Sequence, residues 1–234
     1  QPADQANAYS RGGRRTMNDL LTQLNGGSVP TLELIFLTTL VALLPTIVIM
    51  MTSFTRTIII LSFTRNAMGV QQAPPNMVLV GIALFLTLYI MSPVINRIND
   101  EAYQPYVNEE ISQEEALERM VVPLKEFMLR NTEVNTMETF INLSRTPVQE
   151  NPQDYPLTVV VPAFMTSELK AGFTAGFLIY LPFLLVDIIV STTLMSMGMV
   201  MLPPAMISMP FKLLLFVTVD GWELLFSSIV QSFR

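Results

Sequence analysis

The chain has 234 residues, of which 51% are hydrophobic and only 14% are charged, whereas about a quarter of the residues in an ordinary soluble domain carry a charge. It contains neither histidine nor cysteine, which excludes Ser-His-Asp catalysis, thiol nucleophiles, the common zinc sites and disulfide bonds. We therefore expect a chain that meets lipid or many protein neighbours, has no enzyme activity and uses no cofactor or metal.

The N-terminal segment, residues 1–30, is polar and shows no helical or strand periodicity, so we expect it to be mobile. The chain starts Gln1-Pro2-Ala3-Asp4, without an initiator methionine. Such a start is typical either of a trimmed chain or of the mature end that is left when a secretory signal peptide is removed.

Four long apolar blocks predict an all-α, membrane-associated fold. They are residues 31–51, 77–95, 171–201 and 205–230. The first has one charge and the second has none, and as a helix each could cross about 30 Å of hydrocarbon. We expect four helical passes, arranged as two apolar hairpins over residues 31–95 and 157–234.

An acidic insert, residues 96–156, separates the two hairpins. It has twelve acidic and five basic residues, so its net charge is −7. Ser112 and Glu115 have the spacing of a capping box, which predicts a helix that begins near Ser112. Pro123 should kink this helix, and a shorter helix should follow over residues 133–143.

The insert should face the extracytoplasmic side. The stretch that follows the first block contains Arg56 and Arg65 and no acidic residue. By the positive-inside rule this stretch is cytoplasmic, and the insert then lies across the membrane from it.

Two charges inside the apolar blocks require partners. Asp187 lies near the middle of its block, where an ionised carboxylate facing lipid would cost about 2.5 to 3.5 kcal/mol. Lys212 is the nearest opposite charge across the break at Pro203-Pro204, so we expect the two to meet, within one chain or between neighbouring copies. The pair could stabilise a helix bundle or serve as a proton or ion relay, and the latter would indicate a secondary transporter.

The fragment Ser-Phe-Thr-Arg occurs twice, ending at Arg56 and again nine residues later at Arg65. Nine residues of an α-helix turn by half a revolution, so the two arginines should point to opposite sides. A helix with cations on two faces fits burial among protein neighbours better than exposure to lipid.

Methionines are concentrated near the end of the third block, at Met195, Met197, Met199 and Met201. Gly198 and the following prolines predict that the chain leaves the helix here, and an extended backbone would direct all four methionines to one side. Methionine side chains are flexible and polarizable. They could therefore close a hole as a gasket or simply fill gaps at a helix turn.

Ten short motifs are distributed along residues 31–234. They are Arg56-Thr-Ile-Ile-Ile-Leu-Ser-Phe-Thr-Arg65, Gly69-Val-Gln-Gln-Ala-Pro-Pro-Asn76, Ala83-Leu-Phe-Leu-Thr87, Met91-Ser-Pro93, Thr166-Ser-Glu-Leu-Lys170, Pro182-Phe-Leu-Leu-Val-Asp187, Met197-Gly-Met199, Pro203-Pro204, Pro210-Phe-Lys212 and Asp220-Gly-Trp222. With these motifs the chain resembles the FliP family of flagellar type III secretion export-gate proteins, whose virulence counterparts are called SctR. The resemblance covers nearly all of residues 31–234.

The resemblance implies a pore-forming subunit that assembles as a homopentamer and is completed by FliQ and FliR at the flagellar basal body. It implies a ring-shaped, cone-like assembly in the bacterial inner membrane and periplasm, and a cleaved signal peptide. Unfolded protein substrates would pass through a channel that the four methionines narrow, and no nucleic acid is involved. The buried or intersubunit charges would be Arg56, Arg65, Glu168, Lys170, Asp187 and Lys212.

Overall fold

The structure is a computed structural model that describes residues 31–70, 73–199 and 201–233. The chain divides into two units, residues 1–46 and 47–234. Every regular element within the described residues is helical, so the predicted all-α fold is confirmed. The predicted mobility of the N-terminal segment concerns residues that lie outside the described ones.

Helix α1, Thr31–Met50, is the described element of the first unit, and its last four residues belong to the second. Its sequence is almost entirely apolar. The hydroxyls of Thr38 and Thr39 donate hydrogen bonds to the carbonyl of Ile35 at 3.0 and 2.7 Å. The hydroxyls of these two threonines are thus satisfied by the backbone of the same helix.

The second unit contains a series of helices joined by short turns. They are α2 (Phe54–Ala67), α3 (Asn76–Ile98), α4 (Gln104–Val107), α5 (Gln113–Arg130), α6 (Val134–Ser144), α7 (Leu157–Ser196), α8 (Pro204–Thr218) and α9 (Gly221–Gln231). A π-helical turn, Asn99–Tyr103, connects α3 to α4, and a 3₁₀ turn, Pro152–Asp154, precedes α7.

The centre of this unit is the contact between α2 and α7, which depends on two glycines of α7. A Cβ atom at Gly172 would lie 3.1 Å from the side chain of Ile59, and one at Gly176 would lie 2.5 Å from that of Phe63. Glycine therefore lets the two helices approach closely. The rings of Phe63 and Phe173 add an edge-to-face contact with centroids 5.4 Å apart.

The core around this contact is formed by side chains from most helices of the unit. Its largest fully buried apolar members are Leu61, Leu79, Met128, Val160, Phe164 and Ile229. A smaller cluster consists of Ala67, Met68, Phe183 and Phe216. Burial of such side chains stabilises the fold by roughly 1.5 to 3 kcal/mol each for the larger ones.

The helices of the insert pack on the apolar helices. The Ser112 hydroxyl accepts a hydrogen bond from the backbone N–H of Glu115 at 3.2 Å, so the predicted start of α5 is confirmed. This helix runs through Pro123 as one element, and α6 lies within one residue of the predicted second helix. Helix α5 contacts α3 and α7, and α6 contacts α7.

Two predictions about the apolar blocks need correction. The third block is the C-terminal part of a 40-residue helix that begins at Leu157. The fourth block is not one straight pass, because α8 and α9 meet at a bend of 65°. At this bend Asp220 has a positive φ of 50°, a conformation that asparagine and aspartate adopt more readily than most residues.

Two helical segments are long and apolar enough to cross a membrane, residues 76–107 and 157–196. The bent pair α8 and α9 adds a third if it is counted as one span. The described residues thus hold two to three candidate spans where the sequence predicts four. The bend accounts for one of the missing spans, because neither half of the fourth block reaches the roughly 20 residues that a single pass needs. The other is the first block, whose helix α1 is not among these candidates.

Candidate functional site

A methionine-rich turn joins α7 to α8. Helix α7 ends in a Schellman motif, in which the N–H of Met199 donates to the carbonyl of Leu194 and the N–H of Gly198 donates to that of Met195, both at 3.0 Å. Gly198 has φ +77°, and a Cβ atom there would meet nothing within 4 Å. The glycine is therefore required for its backbone conformation and not for space.

The methionines of this turn are largely exposed, but they do not lie on an extended strand. Met195 is in the last turn of α7 and Met197 is its C-cap, so the predicted extended conformation is wrong for these two. The exposed fractions of Met195, Met197 and Met201 are 59%, 67% and 98%, and Met199 is half-buried. The reason for the error is that Gly198 caps the helix and thereby lets α7 continue through Met195.

Just below this turn, a buried ion pair fastens α7 to α8. Lys212 Nζ donates to Asp187 Oδ2 at 2.6 Å, and Ser208 Oγ donates to Asp187 Oδ1 at 2.6 Å. Ser208 lies one helical turn before Lys212, so both side chains face α7. Both carboxylate oxygens are satisfied within one chain.

The sequence identified Asp187 and Lys212 as partners but not Ser208. The signal that could have found it is the four-residue spacing between Ser208 and Lys212. A serine at that position can donate to the second oxygen of the carboxylate, which would otherwise be half-buried without a partner.

A second buried ion pair connects α2 to α7. Glu168 is fully buried, and Arg56 binds it in a bidentate manner through Nε at 3.0 Å and Nη2 at 2.5 Å. Arg56 Nη1 also donates to the carbonyl of Ser232 at 3.0 Å, and the guanidinium lies 3.9 Å from the ring centroid of Phe233. Three groups from two other parts of the chain, α7 and the C-terminal end, thus meet at one arginine.

The remaining two predicted charges differ from this pattern. Lys170 is predicted to be a buried or intersubunit charge; within one chain its side chain is 63% exposed, and it contacts Glu133, the N-cap of α6, at 2.6 Å. Lys170 lies two residues after Glu168, on another side of α7, which explains its exposure. Arg65 is half-buried and donates to the carbonyl of Pro74 and to the side chain of Asn76.

The carboxylates of the two ion pairs each face a cation. Glu168 is fully buried and Asp187 is half-buried. Within the described residues, no group of three or more histidine, cysteine, aspartate or glutamate side chains could hold a metal ion. Such ion pairs position helices, and breaking one leaves a buried charge uncompensated.

Helix α7 presents a large apolar surface beside the site. Only 11% of its most hydrophobic window is buried within the chain. The exposed side chains include Phe173, Phe177, Leu181, Leu185, Ile188 and Ile189. Apolar surface of this extent marks contact with a membrane or with other proteins.

Comparison with known proteins identifies the family. The model of the FliP family matches residues 37–229. The chain is 52% identical to the flagellar biosynthetic protein FliP of Pectobacterium carotovorum, over 89% of this chain and 82% of that protein. The FliP proteins of Aquifex aeolicus and Bacillus subtilis are 48% and 49% identical, over 89% and 87% of this chain and 88% and 92% of theirs. A chain whose motifs, helices and buried ion pairs lie within so long a match belongs to the FliP family.

Proposed function

We propose that this chain is a membrane-embedded, pore-forming subunit of the flagellar type III protein export gate. Copies of it would form a homopentameric ring, completed by FliQ and FliR, and unfolded export substrates would pass through the central channel. The observation that carries the proposal is the exposed methionine-rich turn, which a capped helix end and a buried ion pair hold at the tip of the α7–α8 hairpin.

The properties of the turn suit a compliant constriction. Methionine is over-represented at promiscuous binding surfaces, because its thioether side chain adapts to many shapes. The backbone beneath Met195 and Met197 is fixed, whereas their side chains are free of contacts over more than half of their surface. Such side chains from several copies could close an empty channel and yield to any passing sequence.

The length of α7 supports an assembly rather than a solitary membrane protein. A helix of 40 residues with a rise of 1.5 Å per residue is about 60 Å long. That is about twice the thickness of the hydrocarbon core of a bilayer. Lipid can therefore cover only part of its apolar surface, and neighbouring subunits would cover the rest.

The experiment that tests this function is replacement of Met195, Met197, Met199 and Met201 by alanine together. The shorter side chains should leave the channel open, so cells that carry the variant should leak small solutes while they still export substrate. The control is Met77→Ala on α3, which removes a methionine that is 87% exposed but lies outside the turn. Unchanged leakage and unchanged export in the fourfold variant would contradict the proposal.

A secondary transporter that uses Asp187 and Lys212 is the competing function. Its ion or substrate would have to displace the internal hydrogen bonds to both oxygens of Asp187, which favours a structural role for the pair. The two functions also differ in particle size. A detergent-extracted particle containing several copies together with FliQ and FliR supports the gate, whereas a monomer or dimer that is active in solute uptake supports the transporter.

A further inference from the structure

Helix α9 packs on the rest of the second unit through only one narrow face. Its buried residues are Gly221, Leu225 and Ile229, which follow one another at four-residue intervals and form a single narrow stripe. The buried ring of Phe233 continues the stripe at the same interval. The other faces of the helix are half-buried or exposed.

Clefts flank α9 on its sides. One of about 310 Å³ lies between α7, α8 and α9 and is lined by Phe183, Phe216 and Leu225 among others. Another of about 440 Å³ lies near the other end of the helix, between Tyr89, Phe127, Val230 and Phe233. Protein interiors are normally close-packed, so the space beside α9 leaves room for it to move.

The beginning of α9 has the geometry of a hinge. The chain bends by 65° between α8 and α9, and Asp220 at the bend has φ +50°. A Cβ atom at Gly221 would lie 2.4 Å from the ring of Phe216, so the first residue of α9 sits directly against an aromatic side chain. A few residues at the end of an element can absorb a large change of direction in this way.

The end of α9 is held by Arg56. The guanidinium donates to the Ser232 carbonyl at 3.0 Å and to the Ser232 hydroxyl at 3.2 Å, and it lies on the face of Phe233. Because Glu168 binds the other edge of the same guanidinium, the arginine is oriented before it meets these residues. The ring of Phe233 also stacks on that of Phe127, with centroids 6.0 Å apart.

We infer that α9 is a hinged strap, with its hinge at residues 219–221 and its latch in the contacts of Arg56 with Ser232 and Phe233. Release of the latch swings the far end of α9 away from Arg56 of α2, from Phe127 of α5 and from α3, while the hinge end keeps its place against Phe216. The ion pair of Arg56 with Glu168 is thus also a positioning device for α9, and this role does not depend on whether the chain lines a channel.

The test uses spin labels on the purified full chain, which contains no cysteine. Labels at Thr166→Cys of α7 and Gln231→Cys of α9, both exposed positions, report the distance across the latch. Phe233→Leu, which keeps an apolar side chain but removes the ring face, should broaden the distance distribution and add a longer component. Arg56→Lys, which keeps the charge but loses the fork of donors, should do the same, and the double variant should add little more.

Two controls distinguish release of the strap from general loosening. Leu79→Ala trims a fully buried side chain of α3 in the same core, and it should lower thermal stability without changing the distance. Trp222, the only tryptophan of the chain, lies at the hinge with its ring 5.1 Å from that of Phe216. Its quenching by acrylamide should stay unchanged in the latch variants.

Three results would overturn the inference. The first is a distance distribution that is unchanged in both latch variants. The second is a distribution that broadens equally in Leu79→Ala. The third is a rise in Trp222 quenching in the latch variants, which would mean that α9 unfolds instead of turning about its hinge.

Discussion

At the scale of single residues, burial determines what each ion pair contributes. The pair of Arg56 and Glu168 is buried on both sides, whereas the pair of Lys170 and Glu133 is exposed on both. Removal of one partner of a buried pair leaves an uncompensated charge in the interior. Removal of one partner of an exposed pair returns the other to water at little cost.

Arg56→Met should therefore destabilise the chain by about 3 kcal/mol or more. Lys170→Met, the matched exposed control, should change stability by less than about 1 kcal/mol. Chemical unfolding of both variants in the same detergent measures the difference. Equal losses of stability would show that the buried position of Glu168 has no energetic consequence.

Exchange of the charges of the second pair tests whether its contact is direct. Asp187→Lys alone and Lys212→Asp alone each place two like charges 25 positions apart in sequence but adjacent in space, so both should reduce the amount of folded protein in the membrane. The double exchange restores opposite charges and should recover a large part of it. A double variant as poor as either single variant would contradict direct pairing.

At the scale of elements, the predictions from sequence were reliable where the signal is local. The capping box of Ser112 and Glu115 places the start of α5 correctly, because a cap depends on residues within one turn. The predicted hairpin begins at residue 157, as α7 does, but the apolar block covers only residues from 171 onward, because Glu168 and Lys170 interrupt the apolar pattern. Hydropathy cannot reveal that Arg56, more than a hundred residues away, neutralises Glu168.

The end of α7 near Gly198 was predicted, but the extended conformation of the turn was wrong for a related reason. Alternating methionines have the period of a strand, whereas the backbone there is set by Gly198, whose positive φ completes a Schellman motif. The pattern of side chains and the capping geometry favour different conformations, and hydrogen bonds to Leu194 and Met195 decide between them. The identity of the four methionines was still evident from the sequence, since their concentration does not depend on conformation.

A comparison of Gly198 with Gly81 tests the backbone conformation of the turn. A Cβ atom would meet nothing within 4 Å at either position, but only Gly198 has a positive φ. Gly198→Ala should destabilise the chain by about 1 kcal/mol, because alanine rarely adopts φ +77°. Gly81→Ala, inside helix α3 and also without neighbours within 4 Å, should stabilise it by roughly 0.5 to 1 kcal/mol. Thermal unfolding of the two variants measures the loss and the gain of stability. A Gly198→Ala variant that is as stable as the original chain would contradict the assigned turn.

The contact between α3 and α5 should respond to acid. The guanidinium of Arg97 donates a hydrogen bond to Glu126 and holds the pKa of this carboxyl below its ordinary value. The stabilisation is therefore complete above the ordinary pKa of a glutamate and is lost as the pH falls through the lowered one. Because both side chains are partly exposed, the effect should be small.

Comparison with Glu126→Gln checks this prediction. Thermal midpoints of the chain and of the variant, measured from neutral pH into the acidic range, should converge as Glu126 takes up its proton. Midpoints that stay separated by a constant amount at all pH values would contradict a contribution from this carboxylate.

At the scale of the whole molecule, the sequence indicates that this chain needs neighbours, and the described helices supply a physical reason. Helix α7 is too long for the hydrocarbon core and too apolar for water. Copy number and the order of subunits do not follow from one chain, because each depends on contacts with surfaces that other chains provide. The resemblance to the FliP family is the source of the proposed homopentamer and of its completion by FliQ and FliR.

The central claim is that the methionine-rich turns of several copies meet around one channel. Because the chain has no cysteine, Met201→Cys introduces a single thiol at a position that is 98% exposed. Identical residues around a narrow ring lie close together, so mild oxidation in the membrane should link this variant into disulfide-bonded dimers. Val148→Cys, 85% exposed in the loop after α6, should stay monomeric under the same conditions, and a Met201→Cys chain that also stays monomeric would contradict the claim.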